Sequence, residues 1–281
     1  MPGEILAFVP QSPAIIVDGT LGEAGHSALF HAQFPGAKIL GLDRDPEMLE
    51  RIRARSEDFS WIELHRKPYR LAPEALGGRH ADFILLDLGV SMFHFKGAGR
   101  GFSYQDESLD MRLDPDLPLT AADILNRKTE RELKLIFQEY GEERFAGRIA
   151  RVIFEKRPVH SARQLAKLIL DAVPGKGKAG IHPATRVFQA LRIAVNRELE
   201  EIESSIPHLA EVLAPHGRLA IISFHSLEDR CVKHGFRALG RERFKILTPK
   251  PILPSAEEIA RNPASRSAKL RVIEKLPDTD R

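Results

Sequence analysis

The sequence predicts an α/β protein: a Rossmann-like, doubly wound sheet with a helical domain inserted into it. Three observations lead there. A short β-branched run, Ile15-Ile16-Val17, breaks at Asp18 into a glycine-rich turn and then a helical pattern. Three further apolar runs follow at βα spacing, over residues 38–43, 61–65 and 81–91. From about residue 97 to 180 the strand signal disappears and helical periodicity replaces it. The expected organisation is a sheet domain over 1–96, an inserted helical domain over 97–180, and the rest of the sheet domain over 181–281.

Residues 1–14 are short and interrupted by Pro10 and Pro13, and little structure is expected of them. The first strand ends at Asp18, and Gly19, Gly22 and Gly25 follow at intervals of three. Glycines suit a turn where backbone approaches a ligand closely and a Cβ would collide. The helix after the turn, over 27–34, is expected to bury Ala28, Leu29 and Ala32, and its amino-terminus offers free N–H groups. The second strand ends in Asp43, eighteen residues past Gly25, where a carboxylate can accept hydrogen bonds from both hydroxyls of a ribose. The competing reading of Asp43 as a helix cap is weakened because Asp45, followed by Pro46, already starts the helix over 47–55. A third strand leads to Tyr69, and a fourth ends in Asp87. Ligands of such sheets lie beyond the carboxyl ends of the strands, so Asp18, Asp43, Tyr69 and Asp87 are expected to converge.

In the insertion, residues 102–117 read as an acid-rich loop. Helices follow with Leu133, Ile136 and Phe137 on one face, then Phe145, Ile149, Val152 and Ile153 opposite an arginine face of Arg144, Arg148 and Arg151. Ser161 caps a third helix burying Leu165, Leu168 and Ile169, and a basic loop over 176–180 closes the segment. Thr185 then caps one long helix carrying Val187, Leu191, Ala194, Leu199, Ile202 and Ile206 in a stripe. A fifth strand over 219–224 ends at His225 and Ser226, a helix covers 227–237, and strands over 244–247 and 270–273 complete the sheet.

With 281 residues, 43% hydrophobic and 29% charged, the chain has the composition of an ordinary globular protein large enough for two domains. The net charge is only +3, yet 42 lysines and arginines and a pI near 9.0 suit a polyanionic partner. A single cysteine, Cys231, excludes an intrachain disulfide and any cysteine-rich zinc site. No apolar run reaches membrane-spanning length and no signal peptide is evident, so the expectation is a cytoplasmic protein without a membrane partner.

A glycine loop with acids after the first, second and fourth strands suits a nicotinamide dinucleotide or S-adenosylmethionine. An acid beside the glycine loop repels a pyrophosphate but holds the ammonium of a methionine moiety, and no Tyr-x-x-x-Lys proton relay is present. The sign of Asp18 therefore favours S-adenosylmethionine.

Several blocks then identify a resemblance: Asp18-Gly19-Thr20-Leu21-Gly22 with Gly25-His26-Ser27, Leu42-Asp43-Arg44-Asp45-Pro46, Leu86-Asp87-Leu88-Gly89-Val90-Ser91, Arg100-Gly101-Phe102-Ser103, Leu109-Asp110-Met111-Arg112, Tyr140-Gly141-Glu142-Glu143-Arg144-Phe145, His182-Pro183-Ala184-Thr185-Arg186 and Ile222-Ser223-Phe224-His225-Ser226-Leu227-Glu228-Asp229-Arg230. In this order they resemble the family of ribosomal RNA small subunit methyltransferase H. The resemblance implies methyl transfer from S-adenosylmethionine to N4 of a cytidine in the decoding region of 16S rRNA. It also implies cofactor contacts at Ala24, Gly25, His26, Asp43, Tyr69, Asp87 and the position of His94, beside Asp18, Gly19 and Gly22. The implied partner is small-subunit rRNA or the assembled small subunit, and a homodimer is left open. Ala24 stands where the family carries glycine, and Ser91-Met92-Phe93-His94 replaces a Ser-Ser-Pro-Gln-like run.

Asp87 reads either as the group that stabilises charge on the methylated amine or as a cofactor contact alone. Arg112 is an ion-pair partner of Asp110 or a phosphate contact. Read alone, the face of Arg144, Arg148 and Arg151 is a solvated or salt-bridged one; with Lys156, Arg157, Lys167, Lys176 and Lys178 nearby and an rRNA substrate implied, the insertion is expected to bind RNA backbone. His225, with Ser226, contacts substrate or is a structural histidine. Phe93, Phe102 and Tyr104 are stacking surfaces or core. Two rival functions remain: a DNA amino-methyltransferase, disfavoured because no Asp/Asn-Pro-Pro-aromatic motif follows the fourth strand, and a catalytically silent RNA-binding relative.

Overall fold

The computed structural model describes residues 1–173 and 182–277; the basic loop over 176–180 lies outside the described residues. In chain order the elements are α1 (Pro2–Leu6), β1 (Ile15–Asp18), α2 (Gly25–Gln33), β2 (Lys38–Asp43), α3 (Pro46–Arg53), α4 (Ser56–Phe59), β3 (Ile62–Arg66), α5 (Ala72–Leu76) and β4 (Ala81–Asp87). Next come α6 (Met92–Lys96), α7 (Ala121–Arg127), α8 (Glu130–Glu139), α9 (Ala146–Glu155), α10 (Ala162–Ala172) and α11 (Thr185–Asn196). The chain ends with α12 (Glu198–Glu211), β5 (Leu213–Ser223), α13 (Ser226–Ala238), β6 (Phe244–Ile246), α14 (Ala256–Arg261) and β7 (Lys269–Lys275). It divides into two compact units, Met1–Val90 with Leu199–Arg281, and Ser91–Glu198. The sequence pattern predicts the inserted domain over 97–180, and the compact unit also takes in α6 and α11.

In the first unit the strands form one seven-stranded sheet ordered β3-β2-β1-β4-β5-β7-β6. β1 to β5 pair in parallel, whereas β7 runs antiparallel to both β5 and β6. Successive residues of the buried strands alternate between two cores, which is why the runs are apolar throughout. Ile16, Ile39, Phe83, Leu85, Ala220 and Ile222 face one core with Ile5, Phe30, Leu49 and Ile52 of α1, α2 and α3. Val17, Leu40, Ile84, Leu86, Leu219 and Ile221 face the other with Leu76, Ile202, Ile206, Val232 and Phe236 of α5, α12 and α13. The chain steps from β1 outward to β3 and returns beside β1 as β4. That reversal opens a crevice at the carboxyl ends of β1 and β4.

Several expectations require correction. Residues 1–14 are not structureless: Pro2 stands in the first turn of α1, where its missing N–H costs nothing. α2 buries Ser27 and Phe30, not Ala28 and Ala32. Phe30 packs edge-on against Phe83 at 5.7 Å, and burying a large ring outweighs burying two methyl groups. The single helix expected from Thr185 is two, because Arg197 adopts a left-handed conformation (φ 50°) between α11 and α12. Thr185 does not cap it; its hydroxyl donates to the His182 carbonyl at 2.7 Å. By contrast Asp45 and Ser161 cap α3 and α10 through the N–H groups of Glu47 and Gln164, at 3.0 and 3.1 Å.

The second unit is helical. Leu125, Leu133, Phe137, Ile149, Ile153, Leu165, Ile169, Val187 and Leu191 are buried in it. Asn196 fixes its long loop by accepting from the Leu113 N–H at 2.8 Å and donating to the Met111 carbonyl at 2.7 Å.

Candidate functional site

The site begins where β1 runs out. Asp18 is buried, and its carboxylate accepts from the Ser27 hydroxyl at 2.8 Å and the Thr20 N–H at 3.3 Å. Burial holds its carboxyl above the usual carboxylate range, against the opposing pull of His26 and the Ser27 hydroxyl. At Gly19 a Cβ would lie 2.5 Å from Leu86 Cδ2 and 3.0 Å from Tyr69 Cβ, so only glycine lets the turn press against β4 and Tyr69. The Gly19 N–H donates to the Leu85 carbonyl at 2.9 Å, and the Thr20 hydroxyl accepts from the Asp87 N–H at 2.6 Å. These bonds lock the glycine turn to the end of β4.

The same turn is tied to β2. The Gly22 N–H reaches one oxygen of Asp43 at 2.9 Å, and the Asp45 N–H reaches the other at 2.9 Å. Gly22 and Ala24 both have positive φ, 51° and 63°. An alanine in this region costs about 1–2 kcal/mol, a strain that glycine would not bear. Gly25 opens α2 with nothing within 4 Å of where its Cβ would stand.

His26 then sits in the first turn of α2, its Nε2 3.4 Å from Asp87 Oδ2. Burial by itself would lower the imidazole pKa, but the Asp87 hydrogen bond and the charges of Asp87 and Asp18 outweigh it and hold it above its ordinary value. The other Asp87 oxygen, Oδ1, is buried with no hydrogen-bond partner among the described residues. A buried carboxylate oxygen without a partner is costly and points to a group that arrives from outside. Tyr69 begins a short 3₁₀ turn after β3. Asp18, Gly19, Gly22, Ala24, Gly25, His26, Asp43, Tyr69 and Asp87 thus gather at one edge of the first unit's sheet.

His225 and Ser226 leave the same edge, since β5 pairs with β4 so that Asp87 stands opposite Ile222. His225 is the N-cap of α13, accepting from the Glu228 N–H at 3.4 Å, with its Nε2 3.1 Å from Glu228 Oε1. Buried Glu228 in turn accepts from the Phe224 N–H at 2.7 Å. The histidine therefore holds a helix start, and Ser226 next to it is exposed.

His94 and Arg112 belong to the second unit. His94 is buried, with Nδ1 3.0 Å from the Ser91 hydroxyl at the start of α6. Arg112 grips Asp110 with two bonds, Nε at 2.7 Å and Nη2 at 2.8 Å, and its Nη1 donates to the carbonyls of Pro115 and Leu117. Of its two readings, the ion pair is the one the geometry realises. Phe102 is buried, and half-buried Tyr104 stacks on His182 at 4.4 Å and meets Phe188 edge-on. Sequence reasoning missed Thr20 and Ser27 as site residues. The available signal was a hydroxyl on either side of the glycine turn.

Comparison with known proteins agrees with this architecture. The model of the MraW methylase family matches residues 3–276. A Leptospira borgpetersenii protein named ribosomal RNA small subunit methyltransferase H is 45% identical over 98% of this chain and 90% of its own. A Leptospira interrogans protein of the same name is 46% identical over 98% of this chain and 86% of its own. A third with that name, from a Cyanothece species, is 47% identical over 92% of this chain and 87% of its own. A match spanning nearly every element, with the glycine turn and the strand-end acids inside it, makes this chain a member of the MraW methylase family, with S-adenosylmethionine as its cofactor.

Proposed function

We propose that the protein methylates small-subunit rRNA, and more narrowly that it transfers a methyl group to N4 of a cytidine in the decoding region. The observation that carries this reading is the convergence at one sheet edge of Asp18, Asp43 and Asp87 around a glycine turn, with Asp87 Oδ1 buried and unpartnered. S-adenosylmethionine, when bound, supplies an electrophilic methyl on a sulfonium. Asp43 would take the ribose hydroxyls, Gly19 and Gly22 would let backbone approach, and the carboxylates would favour the cationic donor over an anionic dinucleotide.

The chain's own residues must then position and deprotonate a poor nucleophile. The lone pair of a cytosine amine is delocalised into the ring, so most of the rate has to come from holding N4 in line at near-contact distance. Asp87 is the acceptor at the strand end: a hydrogen bond from N4–H to its Oδ1 would orient the amine, stabilise the positive charge it gains and take the proton it sheds. The His26 imidazole against Oδ2 keeps that carboxylate aimed. The base must be unpaired or flipped out to enter such a site. The second unit contributes cations for the RNA backbone, among them Arg144, Arg148, Lys156 and Lys167, whereas Arg151 is 3.7 Å from Glu130. Arg157 is engaged otherwise, lying over the Phe154 ring at 4.6 Å and donating to the Lys128 carbonyl. This function implies a cytoplasmic protein, and among the described residues no helix is long and apolar enough to cross a membrane.

The test is tritiated methyl transfer to small subunits from a strain lacking the modification, followed by mass mapping of the labelled nucleoside. N4-methylcytidine is expected. Label on duplex DNA instead, or cofactor binding with no transfer to any small subunit, would sink the reading.

A further inference from the structure

Within the second unit, some exposed cations have an acid in reach and others do not. Arg127 pairs with Asp123 at 2.8 Å, Lys128 with Glu132 at 2.8 Å, Arg163 with Glu107 at 2.7 Å and Arg151 with Glu130 at 3.7 Å. Besides Lys156, Lys167 and Arg186, the second group holds Arg131, Lys134, Arg144 and Arg148. All four are exposed, and none has a carboxylate within 4 Å among the described residues. They are also grouped. The Glu130–Arg151 pair and the Lys134 stem, 3.7 Å from where a Cβ on Gly147 would stand, set α8 and α9 antiparallel with Lys134 level with Gly147. Arg148 falls on the turn of α9 between these two crossings, Arg144 lies in the turn just ahead of α9, and Arg131 is one turn before Lys134 on α8. The absent side chain at Gly147 lets the lysine stem lie against α9, at the residue next to Arg148. Like charges grouped on one exposed surface suit a polyanionic partner.

We infer that the exposed face where α8 crosses α9 is a docking strip for the phosphate backbone of single-stranded RNA, with Arg131, Lys134, Arg144 and Arg148 as its phosphate-binding cations. The inference rests on the RNA-methylating reading above and adds where the strand outside the target base is held. The strip acts through charge, so it grips backbone independently of base identity.

The probe is a fluorescein-labelled single-stranded oligoribonucleotide, titrated with the full-length protein at several salt concentrations. Each single-strand phosphate contact contributes a slope of about −0.7 in log affinity against log salt. The double variant Lys134→Gln/Arg148→Gln should therefore flatten the slope by about 1.4, with Lys134→Arg/Arg148→Lys restoring it. The paired cations serve as the control: Arg127→Gln/Arg163→Gln should leave the slope nearly unchanged. S-adenosylmethionine affinity, measured calorimetrically, should be the same in all variants, showing that the fold and the first unit are intact. An unchanged slope in Lys134→Gln/Arg148→Gln overturns the strip even if the wild type methylates rRNA. Weaker binding to assembled subunits with an unchanged RNA slope would assign the face to an acidic protein and also overturn it. Failure of the wild type to methylate any small subunit would instead remove the reading beneath it.

Discussion

Asp43 offers the sharpest test of the cofactor reading, because the structure separates its two duties. Its carboxylate already holds the Gly22 and Asp45 N–H groups at 2.9 Å each, tying the turn after β1 to the start of α3. Hydrogen bonds to a charged group contribute about 1.5–3 kcal/mol each, and half-burial places these at the lower end. Asp43→Ala should therefore destabilise the protein by about 2–3 kcal/mol in urea unfolding. If the same oxygens also receive two ribose hydroxyls, the affinity for S-adenosylmethionine should fall by a further ~3 kcal/mol, roughly a hundredfold in Kd by calorimetry. Asp43→Asn keeps one acceptor oxygen but turns an NH₂ toward a backbone N–H, so an intermediate loss of about tenfold is expected. Asp45→Ala is the control: it removes the cap on Glu47, costs about 1 kcal/mol of stability, and should leave cofactor affinity within about twofold of wild type. Were Asp43→Ala to bind the cofactor as wild type does while losing stability, Asp43 would be a turn brace only, and the strand-end site would have to be abandoned.

Three further outcomes follow from the same geometry. The folded-state pKa of His26 is raised, so its stabilising contribution is complete below its ordinary 6.5 and is lost as pH rises through the folded value. Unfolding free energy of the ligand-free protein should fall over that window, and His26→Gln should flatten the fall; parallel curves would refute the Asp87 pairing. The Asp18 pKa is also raised, by burial, so its ionised carboxylate weighs against folding at neutral pH. Asp18→Asn should raise the melting temperature at pH 8 but not at pH 4, while weakening cofactor binding; a lower melting temperature at pH 8 would refute the burial argument. Gly19→Ala drives a methyl into Leu86 and Tyr69 and should cost about 1–3 kcal/mol in thermal unfolding. Gly25→Ala meets open space, so its stability should stay within about 0.5 kcal/mol of wild type while cofactor affinity drops; equal stability losses in the two variants would contradict this reading of the turn.

Much of the sheet could be read from sequence because buried parallel strands are apolar on both faces. Phe83, Ile84, Leu85 and Leu86 alternate between two cores, and no surface residue interrupts the run. What escaped reading were features set by tertiary context. The face of α2 was misplaced because Ser27, a polar residue, belongs to the core side, where Asp18 is its partner. The break at Arg197 carries neither glycine nor proline, and nothing local distinguishes it from the helices it separates. Thr20 and Asp87 are 67 positions apart, and only the β1–β4 register brings the hydroxyl to the strand-end N–H.

The acids themselves were visible, and Asp18 explains why a site could be suspected before any geometry was known. β1 is otherwise Ile15, Ile16 and Val17, and its fourth position is just as buried. A strand under selection for stability alone would continue with an apolar side chain there. Instead it carries a carboxyl whose pKa burial pushes up, supported by one hydroxyl and one backbone N–H rather than a cation in direct contact. Such a cost persists where the charge meets something that is not part of the chain. A cationic donor bound at this edge is the occupant whose charge would offset it.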